Sequence, residues 1–398
     1  MNIIIFEDCN TNNLKPFSIN HAAFELKSGY YSNLERIVYS FTDIDDINFI
    51  LIVRNELKDI IQEKFPRYIV NPSKIPSGLY LNGAALWNQK LIDKVFQGYA
   101  FSSSGNLVAF KSNDSVLFED IHQLLDKTSG VTSDLEINYI SYLWDCIDLI
   151  SEMLDSDTKS QLSEFFHDEA FKNQFIVINE ENIYSDKSVS IEPGCILDAR
   201  KGPIILGKHV LIQSGSIIKG PIFIDDYSII SSGSKLNGNI IIGPKCKIGG
   251  EVQNTIFHGY SNKVHDGFLG DSYIGEWVNL GANTNNSNLK NNYSRIKFSF
   301  SDQTIDTNKL FLGAMIGDFT RTGISTMINT GSYIGLGTNL FGSNFQKKYI
   351  SSFSWGKDNI VEFSKFIDTI KIMKKRRNQS ISDIEIALLK NIYNQIKK

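Results

Sequence analysis

The chain has 398 residues, 42% of them apolar and 21% charged, enough for two or three globular domains. A formal net charge of −4 gives no overall pull toward nucleic acid or an anionic membrane. No segment approaches the roughly 20 apolar residues that a membrane helix needs. The opening "MNIIIFEDCN" holds a short apolar run with no basic leader, so a buried first strand is expected there rather than a signal peptide. Cys9, Cys146, Cys195 and Cys246 form no CxxC pair, which suits reduced thiols in a cytoplasmic protein.

Residues 1–114 alternate apolar runs ("NIIIF", "NFILIVR", "GLYLNG") with helical patterns ("NLERIVYSF", "NELKDIIQEKF"). Strands alternating with helices predict a Rossmann-like α/β domain. Residues 115–175, with "DLEINYISYLWDCIDLISEML", carry apolar residues at three- and four-residue intervals and predict a helical connector. In 176–356 the period changes to six. Leu206, Ile212, Ile218, Ile224, Ile230, Leu236, Ile242 and Ile248 recur at that spacing. Ile256, Phe268, Ile274 and Leu280, then Leu310, Ile316, Ile328, Ile334 and Leu340, continue it in a new phase, with Asn262 and Thr322 as exceptions. Neither a helix nor a half-buried strand has period six, whereas a β-helix does, with three hexapeptides per triangular coil and the aliphatic residue pointing inward. The Asn-rich insert between Leu280 and Leu310 is expected to leave the surface as a loop. The tail, 357–398, reads as one or two helices with "KKRR" at 374–377, a solvated basic face capping the end of the solenoid.

Within this repeat, "GGEVQNTIFHGYSNKVHDGFLGDSYIGEWVNLGANTNNSNLKNNY" resembles the acetyltransferase half of the GlmU family, the bifunctional glucosamine-1-phosphate acetyltransferases and N-acetylglucosamine-1-phosphate uridyltransferases. "LKPFSINHAAFELKSG" and "FGSNFQKKYISSFSWG" fit a shorter, GlmU-like sugar-nucleotidyltransferase branch. The resemblance implies a left-handed parallel β-helix, a homotrimer with sites between subunits, acetyl-CoA as donor and an amino-sugar phosphate as acceptor. It places the general base on His265 and further site residues on Glu251, Asn279 and Asn288. The family's phosphate-binding arginine falls on Lys235, a second basic residue falls on Gln253, and a tyrosine falls on Phe268; Lys263 or Lys297 is expected to supply the missing charge.

The chemistry agrees with the base. An amino sugar is largely ammonium near pH 7, so its nitrogen must lose a proton before it attacks a thioester, and histidine titrates in that range. A zinc site built from His209, His258 and His265 is the competing reading, but the seven-residue step from His258 to His265 overshoots the repeat, so no metal is expected. The first domain departs from an active uridyltransferase. "FEDCNTNNLKPF" lacks the glycines of a phosphate-cradling loop, and Ala84 stands where a magnesium-binding aspartate is expected. Lys15, Lys27, Asn82 and Gly83, together with His21 and Glu25, are the candidates there for UTP, and Mg²⁺ is implied only if that domain is active. The alternatives are thus an acetyltransferase, a bifunctional enzyme that also makes UDP-N-acetylglucosamine, or a trimeric scaffold with a degenerate first domain.

Overall fold

The computed structural model describes residues 1–95, 101–103, 105–128, 135–161 and 175–397. The parts of the expected connector at 129–134 and 162–174 lie outside them. The first domain is built on a six-stranded sheet in the order Ile69–Val70, Asn48–Ile52, Asn2–Phe6, Gly78–Asn82, Asn106–Ser112, Phe101–Ser103. The first four strands are parallel, and both pairings made by Asn106–Ser112 are antiparallel. Its central strand is apolar on both faces because both are covered: Ile3 and Ile5 join one core cluster, Ile4 and Phe6 another. Helix Asn33–Tyr39 starts at a reciprocal cap, in which Ser32 Oγ accepts from the Glu35 N–H while the Glu35 carboxylate accepts from the Ser32 N–H.

The second domain is a parallel β-helix, consistent with the left-handed form. Ile204, Ile222 and Ile240 stand in register one eighteen-residue coil apart, and the eight aliphatic residues from Leu206 to Ile248 all point into its core. Beyond them the inward set differs from the expected one. Val252, Phe257, Leu269, Ile274 and Leu280 face inward, while Ile256 and Phe268 do not, and Leu310 is exposed. The reason is a shortened coil. Ile242 pairs with Phe257 rather than with a residue eighteen positions on, so the repeat slips by three. The inward residue at the expected break is Lys263, in register with Ile248, and not Asn262.

One face of the β-helix is apolar outside as well as inside. The middle residues of "IIL", "IFI" and "III" are Ile205, Phe223 and Ile241, and with Ile256, Tyr273 and Met315 they bury outward. The connector helices Leu143–Asp148 and Ile150–Gln161 cover them through Leu143, Trp144, Ile147 and Ile150. The Asn-rich insert also folds back rather than leaving the surface. Lys297–Ser299 and Thr304–Asp306 form a hairpin, and the Phe298 ring meets Trp144 edge-on at 5.1 Å. The tail does not cap the last coil. Helix Phe363–Lys375 starts against Phe353 and runs back along the β-helix until Arg377 donates to Asn262, while helix Asp383–Ile396 packs on helix Lys58–Lys64 of the first domain.

Where the two domains meet, charge is buried. His21 Nε2 lies 2.8 Å from Asp318 Oδ2, with the two side chains 1% and 2% exposed. His21 Nδ1 faces Glu25 at 3.4 Å and Lys64 at 3.2 Å. Lys64 donates to Glu25 at 2.8 Å. His258 reaches Glu276 with one ring nitrogen and the Glu25 carbonyl with the other. Burial and the Lys64 charge press the His21 pKa down, but the Asp318 and Glu25 carboxylates outweigh them and raise it to about 10. Burial alone would raise the Glu25 carboxyl, yet Lys64 and His21 hold it well below the usual range.

Two consequences are measurable. Removing one partner, as in Asp318→Asn or His21→Gln, is expected to destabilise the protein by about 3–5 kcal/mol near pH 6, read from urea midpoints. The His21 contribution is full below its unfolded value of 6.5 and is lost as pH rises through about 10. The gap between wild type and His21→Gln should therefore narrow from pH 6.5 to 10; a gap independent of pH would show a neutral imidazole throughout.

Candidate active site

Three consecutive coils place Lys235, Glu251 and Phe268 in register on one outer face. Asn237 donates to Glu251 Oε1 at 3.4 Å, and the Phe268 N–H donates to Asn285 Oδ1 at 2.7 Å. Gly270 follows, and its lack of a side chain matters: a Cβ there would stand 2.7 Å from Cζ of the Phe268 ring and 3.1 Å from the Asn288 amide nitrogen. The bare backbone thus lets both groups lie over it. Asn288 Nδ2 donates to Asp271 Oδ2 at 2.6 Å, and Asn254 donates to Asp271 Oδ1 at 3.1 Å. Burial raises the Asp271 carboxyl above the usual range, although both amides oppose the shift.

His265 stands at the corner just before this face, exposed to solvent. The corner is held from within. Lys263 points into the β-helix, and its Nζ donates to the carbonyls of Gly249 at 3.1 Å and of His265 at 3.0 Å. Burial presses its pKa down to about 8. Lys263 therefore fixes the backbone of the corner and presents no charge to the outer face.

The structure thus brings Lys235, Glu251 and Asn288 onto one face beside His265. Asn279 lies on the adjoining face, where Asn262 donates to its Oδ1 at 3.4 Å, in register between Asn262 and Arg321. Lys297 is exposed on the hairpin, opposite Asp306. His209 stacks on Tyr227 at 4.8 Å, away from both His258 and the His265 corner. Sequence reading passed over Asn254, Asp271 and Asn285; the signal for them was the run of asparagines at coil corners, together with the aspartate of "LGD".

Of the first-domain candidates, His21 and Glu25 meet in the buried contact between the domains, while Lys15, Lys27, Asn82 and Gly83 are not brought together with them. Lys27 pairs with Asp225 of the β-helix at 3.2 Å. Lys15 lines a cleft with Arg54 and Tyr349. Gly83 is packed so closely that a Cβ would lie 2.8 Å from that of Phe24. Asn82 donates to Asp8 Oδ2 at 2.8 Å and to the Leu107 carbonyl. Asp8, at the carboxyl end of the first strand, also accepts from Tyr139 OH at 2.6 Å and from the Asn10 N–H at 2.9 Å. A magnesium ion does not fit this donor set, because Asp8 already accepts from the protein at both oxygens and Ala84 adds no ligand.

Residues 3–163 match the family model described as sugar nucleotidyl transferase. Over 137 residues the chain is 39% identical to a bifunctional sugar-1-phosphate nucleotidylyltransferase/acetyltransferase of Sulfurisphaera tokodaii, and over 115 residues 30% identical to the bifunctional protein GlmU of Methanococcus aeolicus. Those stretches are 34% and 28% of this chain, and they span only 34% and 27% of the two relatives. An uncharacterized acetyltransferase of Escherichia coli K12, YaiX, is 33% identical over 157 residues, 39% of this chain and 68% of that protein. The chain belongs to the GlmU-like family. For this GlmU-like chain the Lys263 geometry makes a specific prediction. Lys263→Met keeps the volume but strands two carbonyls, and should cost about 1.5–3 kcal/mol in a urea titration; an unchanged midpoint would show that water replaces the ammonium.

Proposed function

We propose that the protein is a CoA-dependent N-acetyltransferase acting on an amino-sugar phosphate, with glucosamine-1-phosphate the first candidate. The observation that carries this reading is the exposed His265 corner beside the in-register column Lys235, Glu251, Phe268, with Asn288 over Gly270. His265 removes a proton from the acceptor ammonium. The freed nitrogen attacks the thioester carbonyl of acetyl-CoA, the tetrahedral adduct gives up its second nitrogen proton as it collapses to the amide, and the carbon–sulfur bond breaks to release CoA thiolate, which takes up that proton. Lys235 supplies a point charge for the sugar phosphate, while Glu251 and the asparagine amides suit the sugar hydroxyls.

A site between neighbouring copies, as in a homotrimer, agrees with the position of His265 at an open corner. Among the described residues no helix is long and apolar enough to cross a membrane. Nucleotidyl transfer by the first domain is the second reading, supported by the match over residues 3–163. The Asp8 arrangement argues against a magnesium-dependent rate, so pyrophosphate release from UTP and N-acetylglucosamine-1-phosphate is expected to be weak or absent.

His265→Ala should lower acetyl transfer by about 10²–10⁴-fold, the range for a general base. Activity within a few-fold of wild type would remove His265 from the reaction. Lys235→Ala should raise the acceptor KM more than it lowers kcat, the pattern of lost uniform binding. An effect confined to acetyl-CoA would put Lys235 on the donor instead.

A further inference from the structure

Helix Phe363–Lys375 and the two arginines that follow it roof a cleft on the β-helix face that carries Lys247, Asn262, Asn279 and Arg321. We propose that this cleft binds a nucleotide through its pyrophosphate. The cleft has a volume of about 460 Å³, within the range of small-molecule sites. Among the described residues four cations line it, Lys247, Arg321, Arg376 and Arg377, and no carboxylate does.

Other cations packed between elements of this chain face carboxylates, the buried Lys263 on its two carbonyls excepted. Lys64 has Glu25, Lys27 has Asp225, and Lys374, one turn before the arginines, has Glu385. None of the four cleft cations forms an ion pair with a carboxylate among the described residues. Arg377 donates instead to the neutral Asn262 Oδ1 at 2.8 Å, and the buried Arg321 Nε has no partner among the described residues. Burial presses both guanidinium pKa values down. Like charges gathered from two separate coils and a helix end repel one another, so the arrangement is under electrostatic tension that an anion relieves. A position past a helix C-terminus accounts for Arg376 and Arg377; Lys247 and Arg321 come from the β-helix.

Guanidinium groups match phosphate oxygens in pairs, which favours a phosphate over a carboxylate ligand. The remaining wall is Tyr260, Val264, Trp277 and Met373. That apolar side suits the nucleoside of a nucleotide and offers nothing to a free phosphate. Two sources carry this chemistry, a nucleoside-diphosphate sugar and CoA. Binding in this cleft does not depend on the transfer reaction.

The test is calorimetric titration of the full-length protein with inorganic pyrophosphate, UDP and CoA. Pyrophosphate is expected to bind, and either UDP or CoA to bind about tenfold more tightly; whichever does so identifies the source. Raising the salt should weaken all three. Arg321→Gln combined with Arg377→Gln should weaken binding by at least about tenfold, and His265→Ala should leave it unchanged. If the double variant does not fold, Arg376→Gln, at an exposed position, should still weaken pyrophosphate binding several-fold. Absence of binding by all three probes, or variants that bind as wild type does, would overturn the site. Equal affinity for all three would overturn its assignment to a nucleotide.

Discussion

The contact between His21 and Asp318 is the point on which the two domains depend. A buried imidazole and carboxylate are costly apart, because neither can be left charged in a dry interface without the other. Their 2.8 Å approach therefore fixes how the segment around Phe17–Glu25 lies against the β-helix. Phe17 stacks on His21 and meets Tyr273 edge-on, so the same segment also seals the covered outer face. Asp318 Oδ1 accepts from the Glu276 N–H at 2.8 Å, which carries the constraint into the backbone of the coils that follow the His265 corner.

Polar residues hold this β-helix where its repeat fails. Between Gly270 and the next rung the backbone ladder is replaced by Asn286, which accepts from the Gly270 N–H and donates to its carbonyl, both at 2.8 Å. Lys263 does the same service at the His265 corner. The coils are thus least regular where the outer face carries Phe268, Asn288 and Asp271. A site needs groups at spacings that an ideal repeat cannot give.

How much of this could be read in the sequence depended on distance along the chain. The aliphatic rows from Leu206 to Ile248 were legible because their spacing is local. Ile256, Phe268 and Leu310 were placed inward only by extending that spacing through a coil that is three residues short. Lys263 was unreadable as an interior residue, since a lysine among turns looks like surface until its carbonyl partners are known. His21 was noticed, but its partner lies 297 residues away and no local pattern joins them. The triple runs "IIL", "IFI" and "III" did carry a signal that went unread. A strand with one buried face alternates, and three apolar residues in a row ask for cover on both sides.

That cover bears on how the protein can be divided. Ile205, Phe223, Ile241 and Ile256 form a continuous greasy strip once the connector and the strap around Phe17 are taken away. An exposed strip of that kind on a flat sheet recruits other molecules. The acetyltransferase-like half is therefore not a module that can be lifted out at its first hexapeptide. The connector and the Phe17 strap of the first domain keep that strip covered, whatever chemistry the domain carries.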